Sequence, residues 1–492
     1  MIKPDCDEYL ELGKTNPYVT LYARVMGDTL TPVQVYQTLR GTSQYSYLLE
    51  SVQQNEKLGR FSWIGLDPLL IFKANKDKIE IELDSGEIRT LVGNPLQALF
   101  DVMEEFRPTL YEELFPYKGG VVGYFGYDNI RHIEDIPDEN PDDLSIPESV
   151  YILPKTVIVF DHLYQSITLI AQIPAGDEAN YQQGVETLEG LLELLSTPEN
   201  RGTPAFLMEE TESELDFTAN MTKDAYMRGV TKAKHYIVEG DIFQVVLSLR
   251  FGMNYSADPF EVYRSLRRIN PSPYLFYLSY PGFQVAGSSP EILVKREGKR
   301  LTLRPIAGTR RRGTTPEEDQ ELADELLQDP KEIAEHMMLV DLGRNDLGRV
   351  SKFGTVVPTQ FKFIENYSHV MHIVTNLEGT LQDDKTNSDL IHSTFPAGTL
   401  TGAPKVRAME IIDELETTRR GFYGGMVAII DFEGNLDSCI NIRSVVMKDH
   451  KAFIQAGAGI VADSVPETEY EECLNKARAV MRAIQTAKEN QR

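Results

Sequence analysis

The chain has little cysteine. Cys6, Cys439 and Cys473 are the only three in 492 residues, far apart and odd in number. That excludes a disulfide framework and a zinc-ligand spacing, and it points to a reducing compartment. None of the three stands in a Gly-x-Cys-x-Gly setting, so the chain is not expected to hydrolyse glutamine itself. Basic residues are also scarce relative to acids, 49 against 75, for a net charge of −26. Nucleic-acid binding as the main function is thereby excluded, because phosphate attachment needs a basic face. An anionic small ligand is not excluded, since a local cluster of Arg, metal and N–H groups suffices. No uninterrupted apolar run approaches membrane-spanning length, and the opening Met-Ile-Lys-Pro-Asp-Cys-Asp-Glu has no apolar leader core. These features predict a cytoplasmic protein. No internal repeat of 20 to 50 residues is present.

What is there is enough chain for more than one domain. Residues 1–200 alternate short β-rich runs with a few helices. Strands are predicted at 16–24, 45–51 and 60–64, with a strand pair at 69–82. Thr31 caps a helix over Pro32–Leu39, and 95–106 has helical spacing. Residues 119–127 read as a Gly-rich strand, 133–149 as a surface loop, 150–173 as a hairpin and 179–196 as a helix. Periodicity is lost over 201–221, which is read as a linker. Residues 222–492 then form a second domain. It has helices at 222–239, 259–269, 388–395, 404–416 and 466–488. Its strands fall at 242–251, 274–280, 283–294, 301–309 and 370–377, followed by a meander over 422–461. Consecutive hairpins with interspersed helices give an α+β class. Large, mainly antiparallel sheets form a sandwich with surrounding helices.

Chemistry-bearing residues gather after position 287. Asp329 and Pro330 open a helix in which Glu332 and Glu335 stand three apart and share a face. Arg344, Asn345 and Asp346 are placed at its end. Pro466 opens another helix, with Glu469 and Glu472 at the same spacing. Two such helices can hold a hard divalent cation between them, although each pair alone also reads as an acidic surface. The loop Pro396-Ala397-Gly398-Thr399-Leu400-Thr401-Gly402-Ala403 precedes a helix near Pro404 and offers an anion seat or a plain structural turn. Gly457 and Gly459 end a strand where main-chain N–H groups could hold a carboxylate. Tyr423 and Arg443, on the two preceding strands of the meander, could reach the same group or form a packing pair. His372 lies in an apolar strand, as a core histidine or a proton carrier. Glu291 follows Gly-Ser-Ser-Pro and could be a general acid if burial raises its pKa.

Taken in order, five segments resemble the chorismate-utilising enzymes. They are Pro-Ile-Ala-Gly-Thr-Arg (305–310), the Glu-pair helix through Arg344-Asn345-Asp346, Pro-Ala-Gly-Thr-Leu-Thr-Gly-Ala-Pro-Lys (396–405), Gly-Phe-Tyr-Gly-Gly (421–425) and Gly-Ala-Gly-Ile-Val-Ala-Asp-Ser (457–464). The resemblance covers both halves of the chain. It implies a Mg²⁺-dependent lyase that aminates chorismate with ammonia and releases pyruvate to give anthranilate, the first committed step of tryptophan synthesis. Mg²⁺ on Glu335 and Glu472, with Glu332 and Glu469 nearby, would meet the ring carboxylate. Tyr423, Arg443, Gly457 and Gly459 would hold the enolpyruvyl carboxylate, with Lys476 nearby. Gly308, Thr309 and Thr399 would line the ring pocket, Glu291 would protonate the leaving hydroxyl, and His372 would take the C2 proton. Gln244 stands where water-adding members resemble one another in carrying Lys, and Ala307 where aminodeoxychorismate synthases carry a nucleophilic Lys. Both departures point to direct ammonia addition. Leu48-Leu49-Glu50-Ser51, with Asn270 to Tyr274, resembles the family's tryptophan-inhibition motif. Glu50 would meet the ammonium, Ser51 lies beside it, and Pro273 and Tyr274 would wall the indole. A glutamine amidotransferase subunit is implied as ammonia source, in a heterotetramer of two large and two small subunits.

Overall fold

The computed structural model describes residues 1–53, 57–114, 116–197, 216–366 and 370–490. Five helices start with the same local device, a polar N-cap followed by Pro. They are Thr31–Pro32, Asn94–Pro95, Asp258–Pro259, Thr315–Pro316 and Asp329–Pro330, and each cap side chain accepts a main-chain N–H of the first turn. The cap satisfies N–H groups that the helix cannot, and Pro has none to lose. Lys223–Glu239 ends at Gly240, whose φ of +86° suits glycine.

Among the described residues 22 strands join in one hydrogen-bonded network. Every ladder in it is antiparallel, apart from one isolated parallel bridge outside the named strands. The network runs across the two predicted halves. Ser46–Glu50 pairs with Tyr274–Tyr280, and Val121–Phe125 pairs with Met426–Ile430. Most of the predicted linker lies outside the described residues, and Thr218–Ala219 already pairs with Gln244–Asn254. Helices Lys223–Glu239, Pro259–Ile269 and Pro466–Glu489 pack on the sheet of Gln244–Asn254 and Lys451–Ile460 to form one core. A second core lies inside the sandwich, between Tyr47, Leu49, Phe276 and Leu278 on one sheet and Val122, Ile152 and Val427 on the other.

Several boundaries differ from those predicted. The runs at 60–64 and from 69 form one strand, Phe61–Asn75. Its register shifts between Pro68 and Leu70, and Asp67 sits at φ +48°, so a bend looked like a break. The strand Ile88–Val92 was not predicted. The helix Pro330–Gly348 carries Arg344, Asn345 and Asp346 in its last turns. The meander's middle run divides into Leu436–Ile440 and Ser444–Lys448, with Arg443 between them at φ +52°. Arg443 and Tyr423 therefore lie off the strands. A residue on a strand must follow the alternation of faces, whereas one in a break can be aimed independently.

Candidate active site

Those breaks point into one cavity of about 450 Å³. Its wall includes Glu291, Gly308, Thr309, Glu332, Glu335, His372, Thr399, Tyr423, Arg443, Gly457, Gly459, Glu469, Glu472 and Lys476. Fourteen residues from nine stretches of chain thus line one cavity.

One end is acidic. The two Glu pairs project from the starts of helices Pro330–Gly348 and Pro466–Glu489. Burial, then the charges of Glu332 and Glu472, raise the pKa of Glu335 above the usual carboxylate value. Glu469 is raised by burial as well. The repulsion is met only in part. Lys476 Nζ lies 2.6 Å from Glu472, and Arg310 donates to Glu332 Oε1 at 3.2 Å. Among the described residues no three of these carboxylates converge into a closed ligand set. One hard carboxylate from each helix, Glu335 and Glu472, fits a magnesium ion that takes the rest of its shell from water and ligand oxygens.

The other end is cationic. Among the described residues the Arg443 guanidinium forms no ion pair or hydrogen bond. Lys476 Nζ donates to the Gly457 carbonyl at 3.0 Å. Lys451–Ile460 pairs with Ser444–Lys448 only as far as Ile454, so beyond that point one strand edge faces the cavity. At Gly457 glycine is required by space. A Cβ on Gly457 would lie 2.9 Å from Leu247 O and 3.0 Å from Tyr423 Oη. One on Gly459 would lie 2.5 Å from Gln244 Nε2. Gln244 joins the wall, its Oε1 buried without a hydrogen-bond partner. In the loop at 396–403 part of the main chain is already paired. Leu400 N and Thr401 N donate within it, and the Thr399 hydroxyl donates instead to Glu291 Oε1 at 2.8 Å.

Between the ends stand a carboxyl and an imidazole, Glu291 and His372. Burial raises Glu291 to about 7, against the opposing pull of Thr399, Lys476 and Arg443. His372 Nδ1 lies 2.8 Å from the Gly308 carbonyl. A carbonyl only accepts, so Nδ1 carries the proton and Nε2 is the basic nitrogen. Burial holds the His372 pKa below its ordinary value, which keeps the ring neutral at pH 7. Gly308 itself sits at φ +67°, and a Cβ there would lie 3.0 Å from Glu332 Oε2.

A chorismate-binding-enzyme model matches residues 44–482. The chain belongs to the chorismate-binding enzymes. It is 48% identical over 493 residues to anthranilate synthase component 1 of Acetivibrio thermocellus, covering 99% of this chain and 100% of that protein. It is 44% identical to anthranilate synthase component 1 of Aquifex aeolicus (strain VF5), covering 99% and 98%. Anthranilate synthase component I from Streptococcus pneumoniae TIGR4 superposes with a TM-score of 0.77 at 34% identity, covering 93% of this chain and 99% of that one. The menaquinone-specific isochorismate synthase from Escherichia coli shares the fold at TM-score 0.70 and 18% identity, covering 98% and 99%.

The predicted inhibitor residues of this chorismate-binding enzyme lie elsewhere. Val52 N donates to Ser272 O at 2.9 Å, bringing Glu50 and Ser51 beside Pro273 and Tyr274. Tyr274 Oη donates to Asp437 Oδ1 at 2.9 Å. Asp437 lines a second cavity, of about 470 Å³, with Tyr47, Trp63 and Ile429. The carboxylate of Glu50 does not join them. It accepts from Tyr263 Oη at 2.6 Å and Arg267 Nη2 at 3.1 Å, on the side of helix Pro259–Ile269. Alternation along Ser46–Glu50 turns it away from Leu49 and the sandwich interior.

Sequence reasoning missed the support under the first cavity. Arg420 is 2% exposed and pairs with Glu416 Oε1 at 2.6 Å. It also donates to Leu400 O and Val246 O, both at 2.7 Å. Its guanidinium lies 5.5 Å from the Tyr423 ring centroid. One buried cation thereby fixes the neighbour of Thr399 and the ring of Tyr423. The four-residue spacing of Glu416 and Arg420 was visible, but exposed helix pairs share it.

Proposed function

We propose that the chain makes anthranilate from chorismate and ammonia, releasing pyruvate and water. The observation that carries this reading is Glu291 and His372 in one cavity, the first able to keep a proton to about pH 7 and the second neutral with Nε2 basic. Arg443, Tyr423 and the strand edge at Gly457 and Gly459 hold the enolpyruvyl carboxylate, with Lys476 beside them. Magnesium on Glu335 and Glu472, near Glu332 and Glu469, would supply electron withdrawal at the ring carboxylate. Gly308, Thr309 and Thr399 bound the ring. Thr399 orients Glu291, which gives its proton to the departing 4-hydroxyl. Ammonia adds at C2, His372 Nε2 takes the C2 proton, pyruvate leaves and the ring becomes aromatic. Ala307 lines the cavity and offers no amine, so ammonia adds directly.

The ammonia source is a separate glutamine amidotransferase subunit, two of each chain forming a heterotetramer. Two thiols here are unsuited to that chemistry, since burial pushes Cys439 and Cys473 up to about 12. Tryptophan inhibits from beside Ser51, Pro273 and Tyr274, next to the second cavity that Tyr274 reaches through Asp437, with Glu50 contributing its strand end rather than its carboxylate. Residues 1–200 are then the regulatory domain and 222–492 the catalytic one. Among the described residues no helix is long and apolar enough to cross a membrane, and a cytoplasmic location accords with the substrate.

The test is a product assay on the purified chain with chorismate, Mg²⁺ and ammonium. Anthranilate fluorescence and pyruvate should rise in equal amounts. Chorismate consumed without pyruvate would move the assignment to aminodeoxychorismate or isochorismate formation.

A further inference from the structure

One buried carboxylate near the cavity has no part in the chemistry above. Glu365, 3% exposed, stands directly opposite His372 in the ladder between Val357–Asn366 and Val370–Thr380. Opposed residues of an antiparallel pair project on one face, with Cα atoms about 5 Å apart. The opposite neighbour of His372 verifies which face that is. Thr309 faces it on Ile306–Arg311, and the Thr309 hydroxyl lies 3.1 Å from His372 Nδ1. His372 is therefore flanked by Thr309 on one side and Glu365 on the other. Glu365 is not part of the cavity wall. Its carboxylate is fixed from behind by Arg304, whose Nε donates to Asn376 Oδ1 at 2.7 Å, and the Asn376 amide donates to Gln360 at 2.6 Å.

We propose that Glu365 is a positioning residue for proton removal: its anchored carboxylate sustains the basicity of His372 without touching substrate. The inference rests on the anthranilate reading. The charges that act on the ring show why it is needed. Burial, Arg443 from the break before Ser444–Lys448 and Lys476 from the last helix all weaken the base. The Gly308 carbonyl and Glu365 oppose them, and Glu365 is the anion among these groups. Arg304 pairs with that carboxylate and holds it in place.

A purely structural ion pair would give instability without a change in proton chemistry, so the test reads the chemistry. Full-length Glu365→Gln and Glu365→Asp are compared with wild type, using chorismate, Mg²⁺ and ammonium. Two quantities are measured, kcat against pH and the isotope effect with chorismate deuterated at C2. In Glu365→Gln the plateau kcat should fall about tenfold. The acid limb should move roughly half a unit to lower pH, and the isotope effect should grow. Glu365→Asp should return the limb towards wild type. The midpoint of the limb does not depend on how much enzyme is folded, so a destabilised variant still reports. A limb that stays in place or moves to higher pH, with the isotope effect unchanged, overturns the inference while the function stands. A wild-type chain that yields no anthranilate overturns both.

Discussion

Glu291 shows how one side chain ties chemistry to stability. Its displacement from 4.5 to about 7 by burial corresponds to about 3 kcal/mol. Because the folded pKa is the higher one, folding binds the proton. The stability linked to it is full below pH 4.5 and is lost as pH rises to about 7. Glu291→Gln removes a buried charge, so it should raise the melting temperature relative to wild type at pH 8 and not at pH 4. The same variant should lower kcat by about two to four orders of magnitude, because an amide cannot give a proton. Thermal melts at both pH values and steady-state rates check the two halves. A variant with normal turnover would remove Glu291 from the mechanism.

At the scale of elements, the site is made where regular structure stops. Glu291 lies between Phe283–Ser289 and Ile292–Glu297, Gly308 at a register shift, and Arg443 in a break of the meander. Helix starts supply the acidic end. Glu335→Ala should abolish Mg²⁺-dependent turnover while chorismate still binds at the cationic end; a Mg²⁺ titration of rate would show it, and an unchanged curve would reject the metal assignment. Beneath them, Arg420 joins Glu416 to Leu400 and Val246. Arg420→Met leaves Glu416 buried without its cation. The expected loss is about 3–5 kcal/mol of folding stability, read by urea unfolding. A loss below 1 kcal/mol would show that Glu416 finds other partners.

On the scale of the whole molecule, two cavities share one continuous set of ladders. The strand ending at Glu50 pairs with Tyr274–Tyr280, which runs on through Phe283–Ser289 to the segment before Glu291. A ligand beside the second cavity can therefore act on the first through strands that both share, provided it favours one arrangement of them. Ser51→Phe should fill the space beside Tyr274 and raise the tryptophan concentration needed for inhibition at least tenfold, with uninhibited activity kept. Inhibition curves of variant and wild type measure it, and identical curves would reject the proposed regulatory place.

Much of this was legible from the sequence. Caps and Pro positions set the helix starts, alternation and turn residues set most strands, and motif residues named the cavity wall. Local chemistry suffices there because a cap or a Gly-rich turn acts within a few residues. What the sequence could not decide was direction and burial. It placed Arg443 on a strand, gave the carboxylate of Glu50 to an ammonium, left 396–403 open between an anion seat and a plain turn, and was silent on Glu416, Arg420 and Glu365. Each of those depends on a neighbour 60 or more residues away, or on which face a backbone break presents. The sequence by itself determined which groups were available and, through local periodicity, the elements that carry them. The tertiary structure decided which were desolvated and which met, because long-range packing sets the surroundings of a side chain, and those surroundings raise the pKa of Glu291 and lower that of His372.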